Sequence, residues 1–428
     1  MDSEALEAAV VEAQELLLPT EAALEYMVGD DGIYLWVLTG DQTVGPDFIS
    51  YEREQLMRDV IALRQEIEPQ TRDVDGESEL FFADPTEALE GFYEVLVQPA
   101  LEQLPETIDT LILIPSGPLW YVPFAALIMT DQPEIVVQRV GMYSQESHRP
   151  TYLIDQYTLV FLPSLASLPM LMEQEVVSTG SYLALANPIL SEEQQTALDT
   201  DGTDYLHSTL ERACRTFATY VGGDEGDVHV QAEAQEELAI TSSTGQRVLM
   251  YACHGDFNPS VPLDSRLLLS PSEGDDAESL ASEYLLDGDY HASEVLLTDH
   301  TGVDLVVLAA CETLLPTLRE VEGVLGLTLG PGADDELNLQ QLELIVAGDE
   351  VVGLSRAFLS SGAKSVLGTL WQASPTAIEH LLVSLGEGSQ DGLSWARALR
   401  QAQREVIANQ NYDNVWFWAP YQLIGRWR

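Results

Sequence analysis

The order of elements predicts an α/β fold built on a mostly parallel sheet with helices on both faces. Three observations carry that expectation. From residue 182 onward, apolar runs of strand length alternate with segments of helix length, the pattern of repeated strand–helix–strand units. Two of those runs, RVLMYACHG (Arg247–Gly255) and DLVVLAACET (Asp304–Thr313), have the length and composition of strands. Each stops at a reactive side chain, His254 or Cys311. In parallel α/β sheets, ligands and chemistry gather beyond the carboxyl ends of the strands.

Taken in order, residues 3–27 read as a helix leading into a strand. GIYLWVLT (Gly32–Thr39) is β-rich between DD and GD turn signals and predicts a hairpin. Tyr51–Glu68 has helical periodicity, and Arg72–Glu79 is polar and reads as a loop. Thr86–Leu104 is a helix stopped by Pro105. Thr110–Pro115 is a buried strand before the turn Ser116-Gly117-Pro118. Met142–Pro150 is polar and irregular, which makes it the natural internal boundary, so the expected halves are 1–150 and 151–428. Tyr157–Phe161 is a strand and Leu165–Val176 a helix. The second half then alternates strands at 182–186, 227–230, 247–252, 304–309, 364–370 and 420–425. Helices are expected at 205–221, 232–240, 350–361, 375–386 and 393–408. Between Thr313 and Gly348 lies a turn-rich stretch with Pro316, Gly330, Pro331 and Gly332, an insertion near 314–347. It is either plain surface or a loop that orders the site.

Composition narrows the function classes. The chain of 428 residues carries 71 acidic against 18 basic side chains, a net charge of -53, with Lys364 as its one lysine. The acid is spread along the chain rather than gathered in a tail. The composition predicts adaptation to high salt in a halophilic source, for at molar salt the Debye length is about 3 Å and self-repulsion is screened. Such a surface repels nucleic-acid phosphates. Cys214, Cys253 and Cys311 are too few for a disulfide framework and lack zinc spacing, which suits a reducing cytoplasm. No run approaches a membrane span, and the start MDSEALEAAV has no leader character. A soluble, cytoplasmic protein with neither metal nor cofactor is expected.

Cys311 is the candidate nucleophile. A free thiol titrates near 8.5, so only a few per cent is thiolate at neutral pH without a base. His254, at the end of the other strand, could take the proton. Cys253 precedes His254, and strand alternation would turn it to the opposite face, toward the core. Cys214, in ERACRTF, reads as helix packing. Gly255 would let a substrate carbonyl come close, although a plain turn also needs such a residue. Asp256 reads as a solvated turn residue. The remaining histidines (148, 207, 229, 291, 300 and 380) have no motif context. GLTLGPG (Gly326–Gly332) lacks the GK[ST] of a phosphate loop.

These motifs together resemble a family. YACHG with PLDSRLLLS, then DLVVLAACET, then GDEVVGLSRAFLSSGAKSVLGTLW, is similar to the CHAT domain, a caspase-like cysteine peptidase domain often found beside tetratricopeptide repeats. LILIPSGPLWYVPFAAL, YLALANP and FWAPYQLIG fit its other strands, so the resemblance spans nearly the whole chain. It implies a caspase-like sheet preceded by a degenerate, non-catalytic copy. It implies a Cys311–His254 dyad with an oxyanion hole made by the N–H groups of Gly255 and Cys311. The implied pocket for the residue before the scissile bond draws on Asn187, Ala309, and Trp371 and Gln372 within Leu370–Ser374. None of these is charged, which points to a neutral substrate residue, since a buried charge needs a partner. WQASPT keeps Trp371 and Thr376 but has Ser374 and Pro375 where the family carries acids. The expected role is cleavage of a protein or peptide partner, under a regulatory partner protein, in regulated proteolysis or prokaryotic defence. The alternative is a catalytically silent scaffold.

Overall fold

The computed structural model describes residues 3–74, 77–138, 146–173, 181–197, 207–256, 258, 261–272, 286–309 and 353–428. The chain divides into two compact units between Leu159 and Val160. In the first, helix α1 (Ser3–Leu16) leads into β1 (Glu21–Val28), which pairs antiparallel with β2 (Gly32–Leu38); β3 (Thr43–Ser50) continues the meander. The other edge of β1 pairs in parallel with β4 (Thr110–Ile114), reached through α2 (Arg53–Ile67) and α3 (Thr86–Leu96). Every residue of β4 is buried, as its unbroken TLILI run requires. Tyr26 donates its hydroxyl to the Leu96 carbonyl at 2.9 Å and so ties β1 to the end of α3.

The segment expected as a loop at Arg72–Glu79 belongs instead to two paired strands, Gln70–Val74 and Glu77–Phe81. Polar composition hid the two strands, although the sequence between them, Asp75-Gly76, is itself a hairpin turn signal. The irregular stretch near 142–150 likewise contains a strand, Glu146–Arg149, paired with Ile135–Gln138.

The second unit holds the longer parallel sheet. Its strands are β5 (Ser181–Pro188), β6 (Val228–Gln231), β7 (Gln246–Ala252), β8 (His254–Asp256), β9 (Arg266–Leu268), β10 (Asp289–His291), β11 (Leu305–Leu308), β12 (Ser365–Thr369) and β13 (Tyr421–Gly425). In the main sheet the order is β6-β5-β7-β11-β12-β13, and all neighbours are parallel except β12 and β13. Helices α4 (His207–Val221), α5 (Gly353–Ser360), α6 (Pro375–Gln390) and α7 (Trp395–Ala408) cover it. Alternation along the strands assigns the faces. Tyr182 of β5 stacks edge-on against Phe217 of α4, and its hydroxyl reaches Met250 Sδ of β7 at 3.1 Å. Tyr251, one residue along β7, points the other way, to Phe358 of α5 with ring centroids 5.5 Å apart. Helices therefore lie on both faces, as the sequence pattern predicts.

At the amino-terminal edge, three neighbouring strands are held by one carboxylate. Asp304, just before β11, accepts from Lys364 Nζ at 2.5 Å and from Arg247 Nε at 3.3 Å. The chain's one lysine is thus nearly buried in an ion pair. Among the described residues no helix is long and apolar enough to cross a membrane.

Candidate active site

Four strand ends converge at the carboxyl edge of the main sheet. β5, β7, β11 and β12 are consecutive parallel neighbours, so their carboxyl ends lie side by side. In register, Ala252 pairs with Ala186 of β5, while Tyr251 pairs with both Leu185 and Leu308. The candidate residues sit just past these pairs: Asn187 after Ala186, His254 after Ala252, Ala309 after Leu308, and Trp371 and Gln372 after β12. Cys311, two positions beyond Ala309, lies outside the described residues, as does the stretch 314–347.

His254 does not belong to β7. That strand stops at Ala252, Cys253 sits in a bend, and His254 opens the separate antiparallel sheet β8-β9-β10. The alternation argument for Cys253 therefore does not apply, because the two residues share no strand. Cys253 is nonetheless buried, 8% exposed. Leu267 and Tyr290 are fully buried, and Tyr290 meets Tyr251 with ring centroids 6.2 Å apart. His254 and Gly255 are half-buried.

Asp256 is not a solvated turn residue. It pairs with Arg266 across the ladder, and Arg266 Nε and Nη2 donate to Asp256 Oδ2 at 2.9 and 2.7 Å. Arg266 Nη1 donates to Asp289 Oδ2 of the third strand at 2.5 Å. Arg266 carries a sequence signal of its own. With 18 cations against 71 acids, an arginine inside the apolar run RLLL implies a specific partner.

The implied pocket residues differ in availability. Asn187 takes a left-handed conformation, φ 52°, where β5 slips register between Ala186 and Pro188. Ala309 is buried and Gln372 exposed. The Trp371 indole is buried and donates Nε1–H to the Trp416 carbonyl at 3.0 Å. Cys214 is a poor rival nucleophile, for burial pushes its thiol up to about 12. Among the described residues no cluster of His, Cys, Asp or Glu could hold a metal.

A caspase-like α/β sheet, with His254 just past one carboxyl strand end, is the class that this fold defines. The model of the CHAT domain matches residues 86–426. The chain belongs to the CHAT domain family. It is similar to the human "Tetratricopeptide repeat protein 28", with 25% identity over 361 residues, covering 80% of this chain and 13% of that protein. The mouse protein of the same name is 25% identical over 324 residues, covering 74% of this chain and 12% of its own. The separase–securin complex of Saccharomyces cerevisiae has the same fold at a TM-score of 0.53 and 11% identity. It covers 99% of this chain and 31% of the solved one. The chain thus spans only a fraction of the length of these relatives.

Proposed function

We propose that this chain is a cysteine endopeptidase domain that cleaves a protein partner with a Cys311–His254 dyad. The observation that carries the reading is strand adjacency. β7, which leads to His254, and β11, which leads toward Cys311, are parallel hydrogen-bonded neighbours. Membership of the CHAT family and the caspase-like fold support it.

In the proposed reaction His254 takes the thiol proton and the Cys311 sulfur attacks the scissile carbonyl. The negative oxygen is stabilised by the N–H groups of Gly255 and Cys311. The C–N bond breaks as His254 returns the proton to the leaving amine, and a thioester remains. Water, deprotonated by His254, attacks the thioester and releases a carboxylic acid and the thiol. Asn187, Ala309, Trp371 and Gln372 are uncharged, so a neutral residue is expected before the scissile bond. The proposed setting is regulated proteolysis or prokaryotic defence in a reducing cytoplasm, with a regulatory partner protein. No metal, cofactor, nucleic acid or membrane takes part.

The test is labelling with a peptide ketone electrophile bearing a neutral first residue, in molar potassium chloride. One adduct is expected, on Cys311, absent in Cys311→Ala and slowed about 100-fold or more in His254→Ala. Cys253→Ala is expected to label normally. A folded protein that takes no label would support the scaffold instead.

A further inference from the structure

The geometry points to Arg266 as a positioning residue that holds the His254–Gly255 backbone in place by bridging Asp256 and Asp289. The inference rests on the reading of His254 as the base of the dyad. It concerns how three-residue strands keep a catalytic loop still.

Ladder register settles which side chains share a face. His254 pairs with Leu268, which pairs with Asp289; Asp256 pairs with Arg266, which pairs with His291. Residues opposite one another in a ladder point to the same side. His254, Asp256, Arg266, Asp289 and His291 therefore share one face with the fully buried Leu268, opposite Leu267 and Tyr290. Arg266 is at its centre. It meets Asp256 directly across and Asp289 on the diagonal, a reach of about 7–8 Å that suits a long side chain.

The chain at His254 and Gly255 is laddered to Leu268 and Leu267 over only three residues, and it is flanked by two further fixed points. On one side is Ala252, paired with Ala186 in the main sheet. On the other is Asp256, held by two nitrogens of one guanidinium. Gly255 between them has no side chain to limit its dihedrals. The guanidinium tie adds to this short ladder, and holds the Gly255 N–H for an oxyanion and the His254 ring for a thiol, since such sites tolerate errors of only about 0.5 Å. The anchor is itself braced. Asp289 Oδ1 accepts from Gln194 Nε2 at 2.8 Å, and the side chain of Gln194 is buried. Beside Asp289, Gly288 N–H donates to Glu236 Oε2 at 2.8 Å, again from a buried site. His291 is turned away to the Asp264 carbonyl, 3.1 Å from Nδ1, so it does not compete for the fork. Without Arg266, two carboxylates would face each other across three short strands with no cation between them.

The test follows alkylation of Cys311 by iodoacetamide against pH, read by mass spectrometry in molar potassium chloride, and needs no substrate. In the natural protein Cys311 is expected to react well below the ordinary thiol range. His254→Ala should return it to a midpoint near 8.5. Arg266→Gln should move it most of the way there, with a rate loss at neutral pH of roughly tenfold or more. Arg266→Lys, which keeps charge but loses the fork, should fall between. Cys214 and Cys253 should stay protected throughout. A natural profile in Arg266→Gln beside a displaced one in His254→Ala overturns the inference and leaves the dyad intact. Exposure of Cys214 and Cys253 in Arg266→Gln marks general loosening and also overturns it. A natural profile in His254→Ala removes the dyad itself. If Arg266→Gln does not fold, Asp256→Asn is read by the same criteria.

Discussion

Two buried ionisable residues set opposing slopes on stability. Glu236 is fully buried, and burial pushes its carboxyl up to about 8 from an ordinary 4.5. The folded protein therefore holds a proton that the unfolded chain has released. Stability falls as pH rises from about 4.5 to about 8, then levels. His300 is also fully buried, its Nδ1 2.7 Å from Ser361 Oγ, and burial pulls it down to about 4. It must stay neutral to remain inside, so stability is lost as pH falls from about 6.5 to about 4. Above 6.5 only Glu236 still acts. The melting midpoint should therefore fall from about pH 6.5 to about pH 8.5 in the natural protein and stay flatter in Glu236→Gln, which keeps the bond from Gly288. Equal slopes in the two proteins would show that Glu236 is already ionised in the folded state.

Among the elements, α6 has the most demanding contact, because it packs against both α4 and α7. Gly386 faces Tyr220 of α4. A Cβ there would lie 2.7 Å from the Tyr220 Cβ, below any real carbon–carbon contact. Isolated helices gain from replacing glycine with alanine by about 1 kcal/mol. Here overpacking should win, and Gly386→Ala is expected to cost about 1–3 kcal/mol in a denaturant melt. Gly91 tests the opposite sign. It lies in α3 with nothing within 4 Å of its would-be Cβ, so Gly91→Ala should stabilise. A gain at Gly386 would mean that the two helices sit farther apart than described.

For the whole molecule the controlling quantity is charge. A net of -53 is expected to need screening before the compact state can persist. The melting midpoint should climb steeply between low and molar potassium chloride. A flat or falling midpoint would assign the acid to a basic partner instead of to salt. Internal pairs such as Lys364–Asp304, with side chains 4% and 12% exposed, are shielded from the ions and should change little. The salt response therefore belongs to the surface, and Lys364→Met should leave its slope unchanged even if it lowers every midpoint.

Local pattern was enough for the elements of the main sheet. Apolar runs such as LVVL and RVLMYA read as strands because both faces are buried, and that leaves an unbroken signature. Their ends at His254 and Cys311 singled out the candidate dyad, and the quoted motifs disclosed the family. Neighbourhood was beyond local reading. Nothing in 247–255 or 304–313 says that these strands pair with each other, because register is set by contacts far apart in sequence. The paired strands at 70–74 and 77–81 carry no apolar alternation, so their polar residues read as a loop. The β8-β9-β10 sheet was missed for a different reason. Three-residue strands are too short to show any period, and the other two lie ten or more residues from the first. Asp256 thus looked solvated and Arg266 went unremarked, since their pairing exists only once those strands are side by side. Sequence by itself determined the fold class, the charge and the candidate residues, each of which is written in local composition. Only the tertiary structure decided that His254 leaves the main sheet and that an arginine ties its strand, because both depend on long-range pairing.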